Sequence, residues 1–183
     1  MKDHTQGPAP WMWSHTESIA ALPPTIYPTR EPHAMSTTWA DPVRITIPGQ
    51  PIPKGRPRVA VRGRRAVAYT PARTKTYEAR VAWAVANVTR SELLAPAGVP
   101  VRFDALVVFG RPQRLQAKRH PAGLIPHTCR PDLDNVVKAL MDGVGAAGFW
   151  ADDSQVTCLR ADAAYAERGQ DPRVEITLWT LAG

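Results

Sequence analysis

Three aspartates are the residues in this sequence whose types and spacing best fit a reaction centre. Asp132 and Asp134 flank a leucine in the run Arg130-Pro131-Asp132-Leu133-Asp134-Asn135-Val136-Val137-Lys138. Leu133, Val137, Leu140 and Val144 recur at i, i+4, i+7 and i+11, which makes one apolar stripe of a helix that starts near Leu133 and stops near Gly145 to Gly148. Lys138 follows Asp134 by one turn, roughly 6 Å along the axis, so the two share a face. Asp132 stands just before the helix, where a carboxylate can cap free N–H groups or turn toward the same point as Asp134. Alone, this segment reads more simply as a cap followed by an ordinary surface ion pair.

The segment Trp150-Ala151-Asp152-Asp153-Ser154-Gln155-Val156 shifts that balance. It places an acidic pair at the entrance to a strand, where neighbouring side chains point to opposite sides and only one of the two can face a given centre. If that one joins Asp132 and Asp134, three carboxylates converge. Two unit charges about 4 Å apart repel by roughly 4 kcal/mol at an effective dielectric of 20. Three are tolerable only around a cation or with raised pKa values. All-oxygen ligation favours Mg²⁺, with Mn²⁺ able to substitute. On a basic protein this chemistry points to phosphodiester cleavage, with Lys138 stabilising charge on the phosphate or orienting the attacking water.

The charge pattern agrees. The net charge is +7, and residues 43–183 hold 21 of the 23 basic but only 12 of the 16 acidic side chains. Lys54, Arg56, Arg58, Arg62, Arg64, Arg65, Arg73 and Lys75 follow one another with no acidic residue between them. Such a stretch attracts a nucleic-acid backbone, and its plain alternative is a solvated basic surface kept for solubility. No run approaches the roughly 18 apolar residues of a membrane span, and the first thirty residues lack the plan of a secretory signal, so a cytoplasmic location is expected. Cys129 and Cys158 form no CxxC pair and read as reduced thiols. His127 and Cys129 together are too few ligands for a structural zinc site.

The elements that must position these residues lie in the last three quarters of the chain. Residues 1–42 hold seven of the 19 prolines, show no periodicity, and read as a disordered extension. From Val43 the pattern becomes regular. Val43, Ile45 and Ile47 alternate as a half-buried strand, and residues 59–69 suit a hairpin turning near Gly63. Thr70-Pro71 reads as a hydroxyl cap with proline at the first helical position. Tyr77, Val81, Ala84, Val85 and Val88 carry that helix to about Leu94. A strand over 99–109, an irregular loop over 111–130, the helix near 133–146 and strands over 156–165 and 173–181 complete the domain. Strands and helices do not alternate regularly, so the expected fold is α+β: a single domain over 43–183, with a mixed sheet and two main helices.

Pro131-Asp-Leu-Asp-Asn-x-x-Lys138, Trp150-x-Asp-Asp-Ser-Gln-Val156 and the strand Ile45–Ile47 leading into Pro53-Lys-Gly-Arg-Pro-Arg58 together resemble the RusA family of crossover junction endodeoxyribonucleases. The likeness spans about residues 43–181, with three blocks in the family's order. It implies a Mg²⁺-dependent enzyme whose acidic residues fall on Asp132, Asp134 and Asp153 and whose catalytic lysine falls on Lys138. It also implies a homodimer acting on branched DNA, resolving four-way junctions by paired symmetric cuts in recombination and repair. The rival functions are a DNA-binding phage protein without catalysis and a nuclease for flaps or forks.

Overall fold

The computed structural model describes residues 38–56, 58–62, 65–90 and 94–182, and for 58–62 and 65–68 the backbone alone. In chain order the elements are β1 (Val43–Pro48), β2 (Arg58–Arg62), β3 (Arg65–Tyr69), α1 (Ala72–Thr89), β4 (Val101–Phe109), β5 (Ile125–Pro126), α2 (Leu133–Ala146), β6 (Val156–Tyr165) and β7 (Arg173–Thr180). Five strands form one sheet in the order β1-β7-β4-β6-β5, while β2 and β3 form a separate hairpin. β4 and β6 run parallel and every other neighbour in the large sheet is antiparallel. The expected α+β class with a mixed sheet and two main helices is therefore the observed one.

The centre of the sheet explains its sequence. β4 is flanked on both sides, and its near-continuous apolar run suits a strand with two covered neighbours. Phe103, Ala105, Val107 and Phe109 share one face with Ile45, Ile47, Val174, Ile176 and Leu178, and the buried sides of α1 and α2 pack onto it. Each of these side chains contributes on the order of 1.5–3 kcal/mol by leaving water. The other face is polar and pairs its own charges along the strands: Arg102 with Asp104, Arg160 with Asp162, and Arg173 with Glu175.

The two helices approach closely through Gly143. A Cβ at that position would lie 2.5 Å from Val81 Cβ and 2.9 Å from the Glu78 carbonyl oxygen, so only glycine lets α2 rest against α1 here. α2 buries Val136, Val137, Ala139, Leu140 and Val144, with Leu133 packed at the margin of the core. α1 buries Tyr77, Val81 and Val85, but Val88 is half exposed and the helix stops at Thr89 rather than near Leu94. Arg90 takes the left-handed conformation (φ 55°) that ends it, a stop that hydrophobic spacing does not encode. The expected Thr70 cap is also absent: the cap position falls on Pro71 with no side-chain bond. Thr74 supplies a hydroxyl instead, accepting the Gly55 N–H at 3.1 Å and tying the basic loop to α1.

The segment 111–130 is organised around two arginines. Arg111 is nearly buried and donates to the carbonyls of Leu115, Pro121, Ala122, Gly123 and Ala166, while Arg168 donates to those of Ala117 and His120. At the other end, Trp39 bridges Leu181, so the chain joins the sheet a few residues before Val43, and residues 1–37 of the expected extension lie outside the described residues. Gly143→Ala is expected to destabilise the protein by about 1–3 kcal/mol in chemical denaturation, because Val81 and backbone must move together. An unchanged midpoint would show that the helices have room to separate.

Candidate active site

Asp132 enters α2 with extended backbone (φ −69°, ψ 138°), after a cis peptide between Arg130 and Pro131. Its carbonyl accepts the Val136 N–H at 3.4 Å, but its carboxylate makes no capping bond and is exposed. Asp134, in the first turn, is also exposed and sits 3.4 Å from the Lys138 ammonium. The open end of a helix carries partial positive charge, which favours two carboxylates there. Two exposed oxygen donors one residue apart can hold a hard cation from one side.

A basic loop adjoins this pair. The Lys54 N–H donates to the Asn135 carbonyl at 2.7 Å, which fixes residues 53–56 beside the first turn of α2. Arg56 is exposed there, as are Arg73 and Lys75 at the start of α1. The side chain of Lys54 lies elsewhere than expected for a DNA contact. Its ammonium donates to Glu78 of α1 at 2.7 Å and to Asp142 of α2. Partial burial pulls its pKa down, but the two carboxylates outweigh that and raise it. Arg58, Arg62 and Arg65 belong to the β2–β3 hairpin, where only the backbone is described, and Arg64 lies outside the described residues.

The second acidic pair lies at the entrance to β6, as expected, but as the cap (Asp152) and first residue (Asp153) of a 3-10 turn, Asp153–Gln155, rather than as alternating residues of an extended segment. Asp152 and Gln155 form a capping box. The Asp152 carboxylate accepts the Ser154 N–H at 2.8 Å, and the Gln155 side-chain oxygen accepts the N–H groups of Ala151 and Asp152. These bonds to Ser154 hold the Asp152 carboxyl below its ordinary range. Gln155 also donates to the carbonyls of Ala95, Pro96 and Val99, anchoring the turn in a loop nearly sixty residues away. Asp153 remains exposed, and its Oδ1 accepts the buried Trp150 indole N–H at 2.8 Å. The two aspartates are thus told apart by cap geometry, not by strand alternation. Trp150 and Gln155 are positioning residues that the sequence marks only through the block that contains them.

The chain alone does not bring the three carboxylates together. A Cβ on Gly145 would lie 3.4 Å from Asp153 Oδ1, which places Asp153 beside the last turn of α2. Gly145 follows Asp134 by eleven residues, or about 16 Å of helix. Ligands of one Mg²⁺, each at about 2.1 Å, cannot be that far apart. Among the described residues, no group of three or more His, Cys, Asp or Glu is placed to hold a metal ion. The expected convergence within one chain fails because a rigid helix separates its two halves.

His127 stacks on Phe109 (ring centres 4.0 Å apart) and leans on Tyr165, and burial pulls its pKa down. Cys129 is exposed, with its thiol pulled down by hydrogen bonding to Tyr165 and Arg114. Among the described residues no helix is long and apolar enough to cross a membrane.

The family model described as Endodeoxyribonuclease RusA matches residues 48–179, most of the chain and all of the elements above except β1, of which it reaches only Pro48, and the last residue of β7. The chain belongs to the RusA family. The chain is 33% identical over 143 residues to a Bacillus subtilis (strain 168) protein, the uncharacterized YqaN, covering 75% of this chain and 96% of that one. It is 41% identical over 54 residues to the crossover junction endodeoxyribonuclease RusA of Escherichia coli K12, and 40% identical over 57 residues to that of Escherichia coli O139:H28. These matches cover 43% and 46% of the two enzymes and about 30% of this chain.

The turn that presents Asp153 gives a direct test. Gln155→Ala removes the side-chain partner of the Ala95 and Val99 carbonyls and of two N–H groups, while the Pro96 carbonyl keeps the Val99 N–H, and is expected to cost at least about 2 kcal/mol of stability. Asp152→Ala removes one cap and should cost about 1 kcal/mol. Equal small losses in urea unfolding would show that Gln155 does not hold the turn.

Proposed function

We propose that the protein is a Mg²⁺-dependent endonuclease that resolves four-way DNA junctions as a homodimer, each metal site formed by Asp132 and Asp134 of one chain and Asp153 of the other. It would act in the cytoplasm on intermediates of recombination and repair. Membership of the RusA family supports the reaction class. The observation that carries the composite site is the separation of the family-type carboxylates along α2. Both sets are exposed, yet they stand about 16 Å apart in one chain. A twofold axis can restore the missing proximity twice, once for each site.

Bound Mg²⁺, or Mn²⁺ in its place, would polarise the scissile phosphate and lower the pKa of a coordinated water. Asp132 and Asp134 would hold it on one side and the partner's Asp153 on the other. Trp150 keeps the Asp153 carboxylate aimed outward by binding one of its oxygens. Lys138, one turn from Asp134, offers its ammonium to charge developing on the phosphate. Arg56, Arg73 and Lys75 are exposed beside the first turn of α2 or at the start of α1 and can grip the flanking backbone. Arg58, Arg62, Arg64 and Arg65 follow in the same basic stretch of sequence and would add to its attraction for a phosphate backbone. Lys54 is engaged by Glu78 and Asp142 and is better read as locking the basic loop to both helices. Exposed carboxylates repel phosphate unless a cation intervenes, so catalysis fits this surface better than binding alone. Two sites related by a twofold axis match the two symmetric cuts that a junction needs.

Mixing two inactive variants tests the reading. Asp134→Asn and Asp153→Asn should each cut a synthetic four-way junction at least about a hundredfold more slowly than wild type in Mg²⁺. After subunit exchange, a heterodimer holds one site with all its carboxylates intact, so about a quarter of the wild-type sites should return, seen as nicking of single junction strands. No recovery in a mixture shown to contain heterodimer would place all the carboxylates of a site in one chain. Wild-type cutting by either variant alone would remove that residue from the site.

A further inference from the structure

From Ala105 to Pro131 the chain holds five Lys or Arg and no Asp or Glu, a second basic stretch after the one that ends at Lys75. Its middle is built on guanidinium groups. Arg111, almost buried, donates to the carbonyls of Leu115, Pro121, Ala122, Gly123 and Ala166. Arg168, from the connection after β6, donates to those of Ala117 and His120. Burial of a charged group is tolerable only with such partners, and these carbonyls supply them. Burial and the neighbouring Arg168 charge both pull the Arg111 guanidinium down. With those carbonyls turned toward the two arginines, the side chains of Arg114, Lys118 and Arg119 stay exposed. Among the described residues, none of the three forms an ion pair with a carboxylate. Cations are thus held together on a scaffold that is itself cationic, which concentrates positive potential. A surface kept for solubility is served as well by charges of both signs, interspersed.

The segment also stands next to the carboxylates. It returns to the sheet at β5, where the His127 N–H donates to the Ala163 carbonyl and the His127 ring stacks on Phe109. Arg114 Nη2 lies 3.9 Å from Cys129 Sγ. Cys129 precedes Asp132 by three residues, roughly 10 Å of chain at full stretch. From the other direction in sequence, Arg56 belongs to the loop that the Lys54 N–H fastens to Asn135. Two basic segments from distant parts of the chain therefore meet the start of α2. Each is secured there by groups other than its exposed cations.

We propose that residues 113–120 form a second seat for the sugar-phosphate backbone, in which Arg114, Lys118 and Arg119 hold the DNA arm that runs on from the phosphate at Asp132 and Asp134. This rests on the nuclease reading for the identity of the polyanion, and it adds a surface separate from the basic stretch over residues 54–75. The contacts are to phosphate, so they position the arm without reading its sequence. At roughly 10 Å from Asp132, Arg114 is about three nucleotides along a strand that rises 3.4 Å per nucleotide. A scaffold fixed before DNA arrives also loses little loop entropy on binding.

The test uses the full chain carrying Lys118→Ala and Arg119→Ala together. Neither side chain supports the scaffold: among the described residues, the one hydrogen bond that either makes runs from Arg119 to His120. Binding of a labelled four-way junction is measured in EDTA across a salt series. Each phosphate contact contributes about 0.9 to the slope of log affinity against log salt, so the double variant should lose about 1.8. Between about 50 and 200 mM salt, the wild type should then lose about tenfold more affinity than the variant. Arg44→Ala, which removes an exposed charge from β1, should leave the slope unchanged. Both variants should cut at the wild-type rate in Mg²⁺ once junction is saturating. Cys129 reports the place of contact: with the other exposed thiol removed by Cys158→Ser, bound junction should slow alkylation of Cys129 by iodoacetamide severalfold. An unchanged slope in the double variant overturns the proposal. So does a reduced slope with Cys129 as reactive in the complex as in the free protein, which would put the arm elsewhere. A wild type with no affinity for DNA at any salt, its cations left to an acidic protein surface, overturns it as well. A slope that falls as expected in a protein that never cuts junctions supports the second seat and counts against the nuclease reading alone.

Discussion

A helix is a ruler that its own hydrogen bonds keep from bending or shortening, and α2 is the ruler of this molecule. Its fourteen residues span about 21 Å, with Asp134 in the first turn and Gly145, the neighbour of Asp153, in the last. Its apolar side is committed to the sheet, and Gly143 presses it against Val81 of α1. Neither end can move toward the other without unpacking the core. The spacing of the two acidic segments in space therefore follows from the same contacts that stabilise the fold.

Each end of that ruler is secured by its own small network. At the start, the Lys54 N–H holds Asn135, while the Lys54 ammonium reaches Glu78 and Asp142, so one residue of the basic loop binds both helices. At the finish, Gln155 makes five hydrogen bonds and the Trp150 indole fixes one oxygen of Asp153. These groups leave three carboxylates facing solvent with few protein partners. Stability is held one step behind the carboxylates, and the acidic surface remains available to a cation and its phosphate.

Much of this was legible in the sequence, and the failures have physical causes. Alternation located β1, β4 and β7, and the stripe from Leu133 to Val144 located α2, because burial alone shapes those patterns. Val88 kept the helical period but is half exposed, since α1 stops at Arg90 through a backbone conformation that no hydrophobic count records. Asp152 and Asp153 looked like strand residues because the capping box depends on Gln155, whose other partners lie near residue 97. Lys54 looked like one more free cation because its carboxylates are 24 and 88 residues away. The acidic motifs were visible as motifs, but a sequence carries no ruler, so their separation was not.

Metal binding and dimer formation must be linked if each site draws on two chains: Mn²⁺ should favour the dimer by as much as the dimer favours Mn²⁺. Sedimentation equilibrium of the wild type across a dilution series, with and without Mn²⁺, measures that linkage directly. Tighter dimerisation in Mn²⁺, abolished in both Asp134→Asn and Asp153→Asn, is the predicted result. A monomer that binds Mn²⁺ as tightly as the dimer, with a dimer dissociation constant indifferent to the metal, would contradict the composite site.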